Sequence, residues 1–364
     1  MPALPERIRV AALRSQQELA DERTPFVHNA WYVAALSDEI GRQPLARRIL
    51  DVPVMLYRKL DGQAVALEDR CAHRSFPLSR GILDGDSVVC GYHGARYDCT
   101  GRCQQVPSQA VVPPGALVRN FVLHEAGRLL WIWMGDTGSA DLAQLPSQPW
   151  MDDAAWVSST ERMHLKASYV RLHENLLDLT HLSFLHANSF GTPDYATAPF
   201  DCRIDEANGR FTLLRSVVPT RLPLLWARPT GLEGVDAARV VDSTFHSPAL
   251  HVVAVKFYAC DRPEAEQPAR AIRTAHIVTP ETATGTHYFI QHARNFATDD
   301  DTITGFMHEQ LLKAFHEDVD GLEAIETLLG GYVDRQPEIS FHADRASLAM
   351  RRYLKRRAQA EAAA

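Results

Sequence analysis

An α+β fold built from two successive domains is what this sequence predicts, and three observations carry the prediction. From about residue 26 to 135 the chain is a series of short β-rich runs separated by Gly-containing turns. A longer β-rich region, roughly residues 200 to 295, follows one helical stretch near 169–186, and two further helical stretches close the chain. With 364 residues, 46% hydrophobic and 23% charged, there is apolar material for more than one core.

Residues 1–25 are polar, end in Thr24-Pro25 and read as an extension; Glu6, Arg7, Arg9 and Arg14 with no long apolar core do not make a secretory signal. The first domain, 26–145, opens with the strand Asn29-Ala30-Trp31-Tyr32-Val33-Ala34. It continues through 52–57, 64–67, 87–90 and 129–134, with turns at Asp61-Gly62, Asp84-Gly85 and Ala126-Gly127. This is a small antiparallel β domain. The Pro-containing, aperiodic stretch 140–149 is the crossing to the second domain, 146–364. No run of about 18 apolar residues could span a bilayer. A net charge of −7 excludes a general nucleic-acid binder. Six cysteines are too few for a disulfide scaffold, so Cys99, Cys103, Cys202 and Cys260 read as free thiols in a reducing, cytoplasmic compartment.

Two Cys-His pairs stand in the first domain. Cys71-Ala72-His73 is followed by Cys90-Gly91-Tyr92-His93. A zinc site of two Cys and two His prefers like ligands paired two to four residues apart, whereas each half here is mixed and the first spacer is a single residue. The pattern is that of a Rieske [2Fe–2S] cluster, in which two thiolates hold one iron and two imidazoles the other. Gly91 and Gly94 bracket Tyr92-His93 and let backbone N–H groups approach the sulfurs. The domain is therefore expected to carry electrons.

A second metal site is expected beyond the crossing. Glu174 to His186 places Asn175, Asp178, His181 and His186 among leucines. Buried polar groups need partners, and four clustered in an apolar run need something polar at their centre. Asp178 and His181 are three apart, neighbours on a helix face; His186 is out of phase, so the helix should tighten, bulge or end between the two histidines. Two His and one carboxylate make a facial triad that leaves open positions on Fe(II). The carboxylate expected is Asp318. It falls in phase with the apolar stripe Leu311, Ala314, Phe315, Leu322, Ile325 and Leu329 of the helix Phe306–Gly330, whereas Glu317, Asp320 and Glu323 read as solvated or ion-paired. In the last stretch, 340–357, Arg351, Arg352, Lys355, Arg356 and Arg357 read as a solvated basic face.

These motifs, in this order, resemble the oxygenase component of Rieske non-haem iron monooxygenases of the vanillate O-demethylase, dicamba monooxygenase and toluenesulfonate methyl-monooxygenase type. The resemblance spans roughly residues 26–355 and includes Asn29–Ala34, Asn175–His181, Thr279-Pro280-Glu281-Thr282, Ala293-Arg294-Asn295-Phe296 and Glu317-Asp318. It implies a Rieske domain followed by a helix-grip catalytic domain, in which an antiparallel sheet wraps a long C-terminal helix. It also implies a head-to-tail homotrimer, with Asp178 bridging His93 of one subunit to His181 of the next, and Asn175 near the iron. A His in the matching His-Ile-x-Thr-Pro-Glu run contacts the substrate in the dicamba enzyme, which points to His276; the Asn and Trp that accompany it there have no match here. His246, His251, His287 and His292 are further candidates to face the pocket.

The implied reaction takes dioxygen and electrons and hydroxylates a small aromatic substrate, with O-demethylation of a methoxylated aromatic acid as the leading expectation. Ring or methyl hydroxylation and N-demethylation use the same metal pair. With no Gly-rich dinucleotide turn in the chain, a separate NAD(P)H-dependent reductase carrying flavin, an iron–sulfur centre or both is required. A pure Rieske electron carrier would need only the first domain, which counts against that reading. A non-catalytic small-molecule binder would hold two irons rather than three.

Overall fold

The computed structural model describes residues 4–363. Its contacts divide the chain into two compact units: His28–Leu145 with Thr279–Thr282, and the remainder. No helix among the described residues is long and apolar enough to cross a membrane.

The smaller unit is built of ten short strands. They are β1 (Trp31–Leu36), β2 (Leu45–Ile49), β3 (Val52–Arg58), β4 (Ala64–Glu68), β5 (Ile82–Asp84), β6 (Ser87–Val89), β7 (Arg96–Tyr97), β8 (Cys103–Gln105), β9 (Leu123–Ala126) and β10 (Leu129–Trp133). They form three antiparallel sheets, ordered β1-β10-β9, β2-β3-β4 and β5-β6-β7-β8. Strand β10 is flanked on both edges and buried at all five positions, which is why Leu129 to Trp133 reads as an unbroken apolar run. Its hairpin with β9 pairs Leu129 with Ala126 across Gly127 and Arg128, both at positive φ, the two-residue turn whose twist suits a hairpin. The strands β2, β5, β7, β8 and β9 carry no apolar run long enough to announce them. Strand β2, Leu-Ala-Arg-Arg-Ile, is an edge on which Arg48 is exposed while Arg47 is half-buried and pairs with Glu39 at 2.9 Å.

The larger unit holds a seven-stranded antiparallel sheet. Its strands are β11 (Val157–Leu165), β12 (Phe200–Asp205), β13 (Arg210–Arg221), β14 (Asp236–Ser247), β15 (Leu250–Ala259), β16 (Ala271–Thr282) and β17 (Gly285–Arg294), in the order β11-β17-β16-β15-β14-β13-β12. All ten residues of β17 are buried. The helices are α1 (Glu6–Gln16), α2 (Tyr169–Leu176), α3 (Leu224–Thr230), α4 (Asp301–Gly330) and α5 (Arg345–Ala362). With a β domain followed by a long-stranded sheet and a 30-residue helix, the α+β expectation holds.

Four local expectations are corrected. The stretch 169–186 is not one helix: α2 stops at Leu176, before Asp178, and a 3-10 turn runs from Leu179 to Ser183. The apolar stripe of α4 is buried from Ile303 to Leu322, but Ile325 is 46% exposed, so the last two turns leave the core. Within the segment before residue 26, Glu6–Gln16 form α1, and the chain after it packs into the larger unit, where Ala20 N–H donates to Arg351 O at 3.1 Å. Arg351 itself is buried, 4% exposed, donating from Nη1 to Glu174 Oε1 at 2.7 Å and from Nε to Ala20 O at 2.9 Å, so it is no part of a solvated face.

Candidate metal centres and active site

The two Cys-His loops are built alike. Cys71 N–H donates to Phe76 O at 2.9 Å and Ser75 N–H returns to Cys71 O at 2.9 Å; Cys90 N–H donates to Ala95 O at 2.8 Å and Gly94 N–H returns to Cys90 O at 3.0 Å. The fourth residue after each cysteine, Ser75 (φ 56°) and Gly94 (φ 74°), sits in the left-handed region, closing each loop so that it presents its ligands outward. Cys71 and Cys90 are buried while His73 and His93 are exposed. Their rings meet edge to face, centroids 4.8 Å apart. Tyr97 places its hydroxyl 3.2 Å from Cys71 Sγ, and the N–H groups of Tyr92 and His93 face the Cys90 sulfur. Burial pushes the Cys90 thiol up.

These residues fit a two-iron cluster better than one zinc. Thiol lies by thiol and imidazole by imidazole, whereas a single tetrahedral ion draws all four donor atoms to one point. Among the described residues, the three-or-more groups of donor atoms close enough for one ion do not include this quartet.

The group that does converge is His181, His186 and Asp318, whose donor atoms lie within 4.8 Å of one another. Its geometry starts with the end of α2. Leu177 (φ −95°, ψ 1°) leaves the helix, Asp178 is extended, and its carboxylate accepts from Thr180 N–H at 2.9 Å, capping the 3-10 turn as Asp commonly does. His181 Nδ1 then meets the Asp178 carbonyl. His186 Nδ1 donates to Glu317 Oε2 at 2.8 Å, and Ser189 Oγ holds the same oxygen at 2.7 Å. With both Nδ1 atoms engaged, both Nε2 atoms face Asp318 Oδ1, at 3.1 Å from His186 and 3.6 Å from His181. Asn175 Nδ2 donates to that oxygen at 3.1 Å. This outer-shell anchoring, which fixes ring orientation and leaves the inner nitrogen free, is what imidazole metal ligands need.

The electrostatics agree. Burial pushes His181 down despite Asp318, keeping it neutral. For His186 burial acts the same way but the hydrogen bonds and charges of Asp318 and Glu317 outweigh it and shift it up. Burial would raise the Asp318 carboxyl, yet His186, His181 and Asn175 hold it below its usual range. An acid 6% exposed, with two imidazoles converging on it, is a divalent-cation site in chemical character.

A cavity of about 70 Å³ opens beside the triad, walled by Leu176, Leu182, Val253, Ile272, Leu311 and Phe315 and reached by Asn175, Thr274, His276, Trp226 and Arg239. His276 is buried and faces the Tyr288 hydroxyl through Nδ1; burial lowers it to about 4, so it is neutral. His251 and His292 do not line the cavity: they bond Ser243 and Thr274 inside the sheet, at 2.7 and 2.9 Å. His246 lies against Arg210, and His287 is likewise away from the cavity lining. Asp178 stands on the other side of His181, on a wider surface recess of about 320 Å³. Sequence reasoning missed Glu317, set aside as solvated, and Arg239. An acid beside the in-phase Asp318 was the available signal for Glu317; nothing in the sequence pattern marked Arg239.

The fold and the two donor sets define the oxygenase component of a Rieske non-haem iron monooxygenase, and the chain belongs to that family. Residues 30–120 match the Rieske [2Fe-2S] domain and 165–360 match the vanillate O-demethylase oxygenase C-terminal domain. The chain is 36% identical to a putative toluene-4-sulfonate monooxygenase system iron–sulfur subunit of Comamonas testosteroni, over 88% of this chain and 93% of that one. It is 35% identical to the dicamba O-demethylase oxygenase component of Stenotrophomonas maltophilia, over 83% and 88% respectively. Dicamba monooxygenase bound to 3,6-dichlorosalicylic acid superimposes with a TM-score of 0.86 at 31% identity, covering 93% of this chain and all of that one. The metal groups of the family are the [2Fe–2S] cluster and a mononuclear non-haem iron, with dioxygen as co-substrate, and such components draw electrons from a separate reductase.

Proposed function

We propose that this chain is the terminal oxygenase that O-demethylates a small methoxylated aromatic acid. Residues 26–145 serve as the electron-receiving domain and 146–364 as the catalytic domain. The observation that carries the reading is a mainly apolar cavity bounded on one side by His181, His186 and Asp318. Cys71, His73, Cys90 and His93 would hold the cluster, and the His181–His186–Asp318 triad the Fe(II); together these groups supply two electrons and activate dioxygen when bound.

The chain's own residues do the rest. Leu176, Leu182, Leu311 and Phe315 keep the substrate ring out of water. Glu317, Ser189 and the Asp178 carbonyl hold the two imidazoles by their outer nitrogens. Asn175 holds Asp318. His276, neutral and buried, offers a hydrogen bond to the substrate. In balance, Ar–OCH3, O2, two electrons and two protons give Ar–OCH2OH and water, and the hemiacetal collapses to Ar–OH and formaldehyde. The protein works in the cytoplasm as a head-to-tail homotrimer with an NAD(P)H-dependent reductase. Asp178 links His93 of one copy to His181 of the next; its half-buried position beside His181, at the rim of the 320 Å³ recess, supports that role.

Incubation of the iron-loaded protein with a surrogate reductase, NADH and a panel of methoxylated and methylated aromatic acids should yield one equivalent of formaldehyde per substrate consumed. Consumption without aldehyde would move the assignment to ring or methyl hydroxylation.

A further inference from the structure

At the end of the cavity away from His276 lies a buried cation with no anion to meet it. Arg239, on β14, is 3% exposed. Its Nη1 donates to Phe190 O at 3.2 Å, and its Nε has no partner. The guanidinium stands 4.8, 5.6 and 5.9 Å from the ring centroids of Tyr195, Phe190 and Trp226. Asp194 is the carboxylate whose field reaches it, and that side chain is exposed and makes no ion pair with it. A guanidinium taken out of water with an unsatisfied donor is costly, and aromatic faces offset only part of that cost. Burial lowers the group, yet arginine remains protonated in proteins.

We propose that Arg239 is the anchor for an oxyanion, carboxylate or sulfonate, carried on the aromatic substrate. The inference rests on the aromatic-acid reading above and names the residue that recognises the acid. Three observations place the anion here rather than at His276. First, His276 is neutral, its Nδ1 is already engaged by the Tyr288 hydroxyl and its ring lies against Phe315 at 5.7 Å, so it offers an anion no charge and a single N–H at most. Second, the strand registers set Arg239 and His276 at opposite ends of the cavity face: Arg239 pairs with Phe257, and His276 pairs with His251, which pairs with Phe245. Six residues along β14 separate the two rows, with Val241 and Ser243 between them. Third, Phe190 stacks on His186, centroids 4.6 Å apart, so one ring separates the guanidinium from a triad imidazole. A benzene ring bearing an anion at one end and the reacting group at the other matches that one-ring gap between guanidinium and imidazole. Trp226 Nε1, also buried and unpartnered, lies at the same end.

Arg215 provides the contrast. It is equally buried and its Nε is likewise unpartnered, but its two Nη atoms are both engaged, by Tyr195 O at 2.8 Å and Thr180 Oγ1 at 3.3 Å, and it does not line the cavity. Its role is to hold the loop.

The test is calorimetric binding to the iron-loaded, anaerobic protein of 4-methoxybenzoate, 4-methoxybenzenesulfonate and 4-methoxybenzamide. The wild type should bind at least one anion about 100-fold more tightly than the amide, since a site built for a charged partner rejects the analogue lacking it. Which anion wins distinguishes carboxylate from sulfonate. Arg239→Met should remove that preference without weakening amide binding, and Arg239→Lys should restore part of it. A wild-type ratio near one, or no measurable binding of any of the three, overturns the proposal, as does a Met variant that keeps the preference. If the Met variant does not fold, the wild-type ratio and the Lys variant decide. Formaldehyde release is scored separately: anion selectivity without aldehyde would sink the demethylase reading and leave Arg239 in place.

Discussion

Glu317 shows how much one side chain away from the donor set can matter. It touches His186 only at Nδ1, yet that contact fixes the tautomer that leaves Nε2 for a metal. Glu317→Ala should weaken iron binding about 10- to 100-fold while leaving the cluster's visible spectrum intact; unchanged iron content after mild chelation would refute it. In the other donor set, Tyr97 donates to or accepts from Cys71 Sγ and also receives Ala72 N–H at 3.2 Å. Hydrogen bonds to a cluster's sulfurs stabilise its reduced, more negative form. Tyr97→Phe should therefore lower the reduction potential, read by protein-film voltammetry, without loss of iron.

At the scale of the element, the break after α2 is what makes the triad. A continuous helix would carry His186 off the face of His181, whereas stopping at Leu176 and resuming as a 3-10 turn lets both imidazoles point at α4. The loop that follows is equally constrained, because a Cβ on Gly191 would lie 1.7 Å from Leu182 O and 2.9 Å from His186 O. Gly191→Ala should displace His186, lowering both iron content and melting temperature, and a wild-type melting curve with full iron would show that the loop can yield. Across the unit, Arg351 of α5 ties α2 to the N-terminal segment. Removing one partner of a buried pair leaves the other uncompensated. Glu174 is partly solvated, 29% exposed, so Arg351→Met should cost about 2–3 kcal/mol rather than the larger figure of a fully buried pair, measurable by urea denaturation.

For the molecule as a whole, buried neutral histidines set an acid limit. Burial lowers His173 to about 4 and His292 to about 3, against a usual value near 6.5. Between those values the unfolded chain binds protons that the folded chain refuses, so stability is full above about pH 6.5 and falls as the pH drops toward 4. Each residue should remove about 2 kcal/mol at pH 5, so the urea midpoint should drop markedly from pH 7.5 to 5.0. A midpoint that does not move would show the two sites to be hydrated.

Read along the chain alone, the chemistry was legible because it depends on residue type and spacing. Cys71, His73, Cys90 and His93 declare a cluster, and Asp318 stands out because a carboxylate on an apolar stripe is costly unless a cation meets it. What the tertiary structure decided was everything that depends on which distant segments meet. The end of α2 at Leu176 follows from Asp178 turning to cap the next turn, a choice that local periodicity does not express. Glu317 looked like any acid on a helix until His186, from another segment, was found against it. Arg239 is an ordinary charged residue in a strand pattern; only the closing of the sheet around it, with no carboxylate alongside, turns it into a demand for an anion.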